Sequence, residues 1–294
     1  MKVYRYLSIL IFLLVAANAE EKVSYDGYAF MVLGTEYVNY QERASLGPIK
    51  SSVTAVNTVQ ISGALTRVNN LFDFSIRTTS TLLARDATEQ WRLSSDYNTS
   101  KDSILPKNTL LQENSFDIIG SKLKILLEYK LTQNFRFVFG PAYTLDTFKR
   151  YNWESKHPII AEEVSVQEER YASLQAHLGI AYESYAAALE GLRYSVRLTY
   201  GQPLWQKVKN TKEEYNNLIY SNKNGYNIDA SVQSTYTIHK GVELGLYLAC
   251  SQQYREAAEV NRVEVEGELY DVEWPKNYLT HYRGGLMVVW KFRE

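Results

Sequence analysis

The sequence predicts an all-β chain that closes as a single antiparallel transmembrane β-barrel of about ten strands, or twelve if longer connections hide two more. Three observations carry the expectation: a leader for export, period-two alternation through most of the remaining chain, and connections that alternate between short and long.

Lys2 and Arg5 precede an unbroken run from Tyr6 to Ala17, and Ala17-Asn18-Ala19 has the small-x-small pattern of a cleavage site. The run is shorter than the roughly 20 residues that a membrane-crossing helix needs. Its flanks are those of a secretory signal. Residues 1–19 are therefore expected to be a signal peptide and residues 20–294 one barrel domain. No later apolar stretch reaches helix-spanning length, so a membrane-embedded chain has to cross as a closed sheet. Open edges would leave backbone groups unpaired in lipid.

Ten segments alternate between turn signals: 28–43, 51–67, 71–83, 108–131, 135–149, 167–184, 192–207, 225–238, 242–256 and 277–292. In the third, Phe72, Phe74, Ile76 and Leu82 share one face and Asp73, Ser75, Arg77, Thr79 and Thr81 the other. In the fourth, Ile119, Leu123, Ile125, Leu127, Tyr129 and Leu131 oppose Lys122, Lys124, Glu128 and Lys130. The fifth sets Phe135, Phe137, Phe139, Tyr143 and Leu145 against Arg136, Thr144 and Asp146. The sixth sets Leu174, Leu178, Ile180 and Tyr182 against Ser173, Gln175, His177 and Glu183. The next three behave alike, with Arg193, Arg197, Asp229, Gln233 and Glu243 on the polar side.

Short connections fall near 68–70, 132–134, 184–191 and 239–241, and longer ones at 84–107, 150–166, 208–224 and 257–276, with 44–50 of moderate length. Short turns then lie at one end of the barrel and long loops at the other, as in membrane barrels. Within the last loop, Val263 to Val272 alternates around Glu266-Gly267-Glu268, which reads as a projecting hairpin.

The last segment, Tyr282 to Phe292, carries an apolar stripe of Tyr282, Leu286, Val288, Trp290 and Phe292 opposite Arg283, Gly285 and Lys291. Arg283, Gly285, Val288, Trp290 and Phe292 resemble the terminal assembly signal of bacterial outer-membrane proteins, although Arg293 and Glu294 follow the last aromatic. With the leader and the strands, the mature chain resembles the Gram-negative outer-membrane β-barrel class. That resemblance implies insertion by the barrel-assembly machinery, both termini in the periplasm, and contact with outer-membrane lipid and lipopolysaccharide.

Composition agrees. Tyrosine is abundant (24, against 10 Phe and 5 Trp), and amphipathic rings suit a membrane–water interface. The formal charge of −1 falls to about −3 once Lys2 and Arg5 leave, which argues against nucleic-acid binding. Cys250 stands alone, so no internal disulfide is expected, and no Cys/His cluster has zinc-ligand spacing. Neither cofactor nor metal is expected.

The polar faces place Asp73, Arg77, Lys122, Lys124, Glu128, Arg136, Asp146, Arg193, Arg197, Asp229 and Glu243 in the lumen. In a barrel little wider than the eight-stranded kind that side chains fill, they read as an interlocked polar network, with a narrow pore lining as the alternative. The 256–274 region is acidic and the 207–223 region leans basic through Lys207, Lys209, Lys212 and Lys223. The length and strand number resemble the omptin proteases. However, the chain has no closely spaced aspartate pair at a strand top, no Asp-x-His and no G-x-S-x-G elbow. Of four histidines, His177 and His281 are expected in the lumen, His157 in a loop and His239 in a turn. The expectation is a non-enzymatic barrel with an envelope-structural or surface-binding role. A narrow porin is the alternative, and a hydrolase or lipid A-modifying enzyme a more distant one.

Overall fold

The computed structural model describes residues 27–44, 47–99, 104–159, 166–184, 191–210, 219–221, 223–265 and 268–292. The signal segment 1–19, Lys212 and Glu266 lie outside these residues, and only the backbone is described for 219–221 and 258–273. Sixteen strands follow in chain order: β1 (Gly27–Arg43), β2 (Ile49–Arg67), β3 (Phe72–Leu83), β4 (Ala87–Leu93), β5 (Tyr97–Asn98), β6 (Ile104–Leu105), β7 (Leu110–Lys130) and β8 (Phe135–Ser155). They continue with β9 (Gln167–Glu183), β10 (Leu192–Asn210), β11 (Ile219–Ser221), β12 (Gly225–His239), β13 (Val242–Arg255), β14 (Ala258–Val265), β15 (Glu268–Trp274) and β16 (Lys276–Phe292).

The wall is an antiparallel ring, because β1 pairs with both β2 and β16. β3 and β4 share one position: both pair with β2 on one side and β7 on the other. β11 and β12 likewise both pair with β10. Twelve segments thus fill ten positions, with no additional pair of wall strands among the described residues. The 84–107 stretch differs from the expected loop, since β4 resumes the wall at Ala87 and only a small β5–β6 hairpin projects. β8 runs six residues past its expected end at 149. The hairpin expected within 257–276 forms as β14–β15.

Side-chain hydrogen bonds close two of the short turns. Asn69 Oδ1 accepts from the Leu71 and Phe72 amides, both at 2.8 Å, and Thr132 Oγ1 accepts from the Phe135 amide at 3.0 Å. The seam runs unbroken from Gly27 opposite Phe292 to Arg43 opposite Lys276. Two facing glycines let its strands approach: a Cβ on Gly34 would meet the Gly284 carbonyl oxygen at 2.1 Å, and one on Gly285 the Leu33 carbonyl oxygen at 2.5 Å.

Most outward faces form the apolar belt that lipid requires, with Phe137, Leu178, Ile180, Leu198, Leu246 and Leu286 exposed. β2 is inverted. Its inward residues Val59, Ile61 and Leu65 join Tyr28, Phe30, Val32, Met287 and Val289 in an interior apolar cluster. Its outward face carries Thr58, Gln60 and Ser62, and the Ser62 and Thr78 hydroxyls satisfy each other at 2.8 Å. The lumen is therefore apolar along β1, β2 and β16, which the charged faces of β7–β10 do not reveal.

Candidate functional site

Inward side chains meet at three heights. Nearest the short turns, Asp73 holds Lys130 at 2.6 Å and Arg136 at 3.0 Å, and Arg136 also reaches Glu183 at 3.3 Å. Arg197 joins Glu128 at 2.8 Å and Glu183 at 3.5 Å. Glu243 takes Arg193 at 3.1 Å and the Lys291 ammonium. These groups arise from β3, β7, β8, β9, β10, β13 and β16, so the network crosses the lumen rather than lining one wall.

At middle height, Lys122 and Lys124 converge on Asp229 at 2.9 and 2.8 Å. His177 sits beside them, its Nε2 2.9 Å from Gln175 Oε1 and its Nδ1 3.4 Å from Thr199 Oγ1. Across the lumen, Glu36 faces Arg283 over the β1–β16 seam and accepts from Arg283 Nε at 2.6 Å, while His281 Nδ1 lies 2.8 Å from the same oxygen. Polar cavities of about 20 and 50 Å³ remain between these groups, room for a few waters.

Near the loops, Arg150 is held by three carboxylates: Glu89 at 2.7 Å, Glu42 at 2.9 Å and Glu169 at 3.1 Å. Its guanidinium also lies 5.4 Å from the Phe116 ring centroid and 5.5 Å from that of Trp91. Tyr40, Phe116, Phe148, Tyr171 and Trp274 pack as one buried cluster around it. Trp274, at the end of the β14–β15 hairpin, meets Tyr171 edge-on at 6.2 Å, and Arg255 bridges to Asp146 at 3.1 Å. This tier stands beyond the lipid belt, since the neighbouring outward positions are Lys149, Asp117, Arg170, Lys209 and Arg43. Burial pushes the Glu42 carboxyl up to about 7, opposed by Arg150, with Glu169 and Glu89 adding to the rise.

All eleven residues expected in the lumen lie on inward faces, where Arg77 alone among them has neither hydrogen bond nor ion pair with the described residues. Of the terminal motif, Arg283 points inward to Glu36, Gly285 lies on the seam, and Trp290 and Phe292 are exposed outward. Sequence reasoning missed Glu36, Glu42, Glu89, Arg150 and Glu169. Glu89 and Arg150 fell in stretches read as loops, Glu36 and Glu42 sit on β1, whose two faces both carry apolar residues, and Glu169 lies near the start of β9.

No protein-family model matches the chain, and no sequence among curated proteins matches it. Solved structures do. The outer membrane protease OmpT from Escherichia coli is similar at 10% identity with a TM-score of 0.66, over 92% of this chain and 99% of that one. The translocator domain of the autotransporter NalP from Neisseria meningitidis is similar at 9% identity and a TM-score of 0.34, over 98% and 96% of the two chains. A Pseudomonas aeruginosa FadL homologue follows at 7% identity and a TM-score of 0.33, over 91% of each. The chain thus has the fold of the Gram-negative outer-membrane β-barrels.

The OmpT likeness corrects the expectation of a non-enzymatic chain. That expectation rested on missing sequence motifs, whereas the fold is shared with a protease. The architecture gives no ground for setting catalysis aside.

Proposed function

We propose that this chain is an outer-membrane barrel, closed to solute flow, that acts at its loop end as a surface-recognition element seated in lipopolysaccharide. The observation that carries the reading is the lumen: ion pairs cross it at each height, and the Arg150 tier fills the loop-end mouth with aromatic rings. A function that needs no passage is then carried by the loops and rim. The N- and C-terminal strands meet at the short-turn end, and in this reading that end, with both termini, faces the periplasm while the long loops face outward.

The outer rim supports the lipopolysaccharide contact. Lys149, Arg170 and Lys209 are exposed just beyond the apolar belt, with Lys207 beside them on the same face of β10. Cations at that height suit lipid phosphates, by charge-assisted hydrogen bonds. The test is binding of the folded, detergent-solubilised protein to purified lipopolysaccharide, compared with a Lys149→Glu, Lys207→Glu, Lys209→Glu variant. We expect the reversal to weaken binding at least tenfold and to leave the fold intact. Equal binding by both proteins would refute the contact.

A further inference from the structure

We infer that the 50 Å³ cavity at middle height is a binding site for a small inorganic anion of the halide class, held by Arg77, Lys124 and Lys122. The first reason is Arg77 itself. It is 9% exposed, lines this cavity and has its Nε buried without a partner. The ring of Phe30, 5.3 Å from its guanidinium carbon, neutralises no charge. A buried guanidinium without an acceptor carries a large desolvation cost, whereas native structures pair such groups or give them an ion.

The second reason is register. Arg77 stands directly opposite Lys124 on the β3–β7 ladder, and Thr79 opposite Lys122. Like charges directly opposite each other destabilise a sheet unless something lies between them.

The third reason is the local charge balance. Lys122 and Lys124 share one carboxylate, Asp229. In the turn-end network Asp73, Glu128 and Glu183 are matched in number by Lys130, Arg136 and Arg197, and Glu128, which also attracts Arg77 electrostatically, makes its ion pair with Arg197. On the far side Glu36 is engaged by Arg283 and His281. Five cations line the cavity beside one carboxylate. Arg197 and Arg283 are paired elsewhere, with Glu128 and Glu36, which leaves Arg77, Lys122 and Lys124 with Asp229. His177, with Nδ1 3.9 Å from Asp229, brings no negative charge. The volume is a few times what one water requires, which fits a halide with a water and leaves little room for an organic acid.

The probe is bromide. Crystals of the full chain soaked in sodium bromide are expected to show an anomalous peak within hydrogen-bond reach of Arg77, and unfolding midpoints in detergent should rise and saturate with chloride or bromide but not with gluconate at equal ionic strength. Arg77→Gln should abolish the halide-dependent rise, and Lys124→Gln should weaken it, whatever their baseline stability. If neither variant folds, the wild-type soak and salt series decide alone. No peak in the cavity, identical midpoints in chloride and gluconate, or stabilisation by phosphate without halide would overturn the assignment.

Discussion

Replacing Arg150 with methionine is expected to lower stability by about 3–5 kcal/mol, the cost of removing one partner from a buried ion cluster. The arithmetic of the site drives the effect. Glu42, Glu89 and Glu169 are all buried and all face that one guanidinium, so its loss leaves three carboxyl groups inside an aromatic shell with no cation between them. Lysine is a poor substitute, since one ammonium cannot reproduce a planar fork with donors aimed at three carboxylates. The same crowding gives the barrel a pH signature. Glu42 is raised from 4.5 to about 7, so the folded state binds more protons than the unfolded state across that window. Its contribution to stability therefore falls as pH rises from about 4.5 to 7 and is constant above. Urea unfolding in detergent micelles from pH 4 to 8 checks both statements. Glu42→Gln should flatten the slope in that window, and Arg150→Met should steepen it as well as lower the midpoint.

Replacing Glu36 with alanine is the second large effect, again about 3–5 kcal/mol. Glu36 is the common acceptor for Arg283 and His281, and it sits across the seam from Arg283 where the first and last strands close the ring. Removing it strands a half-buried guanidinium at the junction on which closure depends. Ser251 Oγ, 3.3 Å from Arg283 Nη1, is a neutral acceptor and offsets little. Slower refolding into lipid vesicles should accompany the loss of stability, measured by the gel-mobility shift between folded and unfolded barrel. Wild-type stability and refolding rate in Glu36→Ala would show that the seam does not rely on this group.

The strands were legible because lipid imposes a strict outward period of two, as Phe135, Phe137 and Phe139 show on β8. The interior was legible only where that period also left a charged face, as on β7 with Lys122, Lys124 and Glu128. On β1 the inward residues are Phe30, Val32, Glu36, Val38, Tyr40 and Glu42, and on β2 they are mostly apolar. Both faces of such strands carry apolar residues, so alternation no longer says which is inside. Glu89 and Arg150 were hidden differently. The wall continues past the lipid belt, where outward residues become Lys149 and Asp117 and the contrast that marks a membrane strand disappears. The clustering of Glu42, Glu89 and Glu169 on Arg150 is a product of ring closure between positions far apart in the chain, and no local pattern encodes it.

The central claim is that the lumen is sealed, and planar-bilayer recording of the purified, refolded protein tests it most directly. Steady stepwise openings should be absent at neutral pH, and absent also in Arg150→Met, where the turn-end and middle ion pairs still cross the lumen. Stable openings of the wild-type barrel in symmetric potassium chloride would contradict the account and mark the charged lumen as a conducting path.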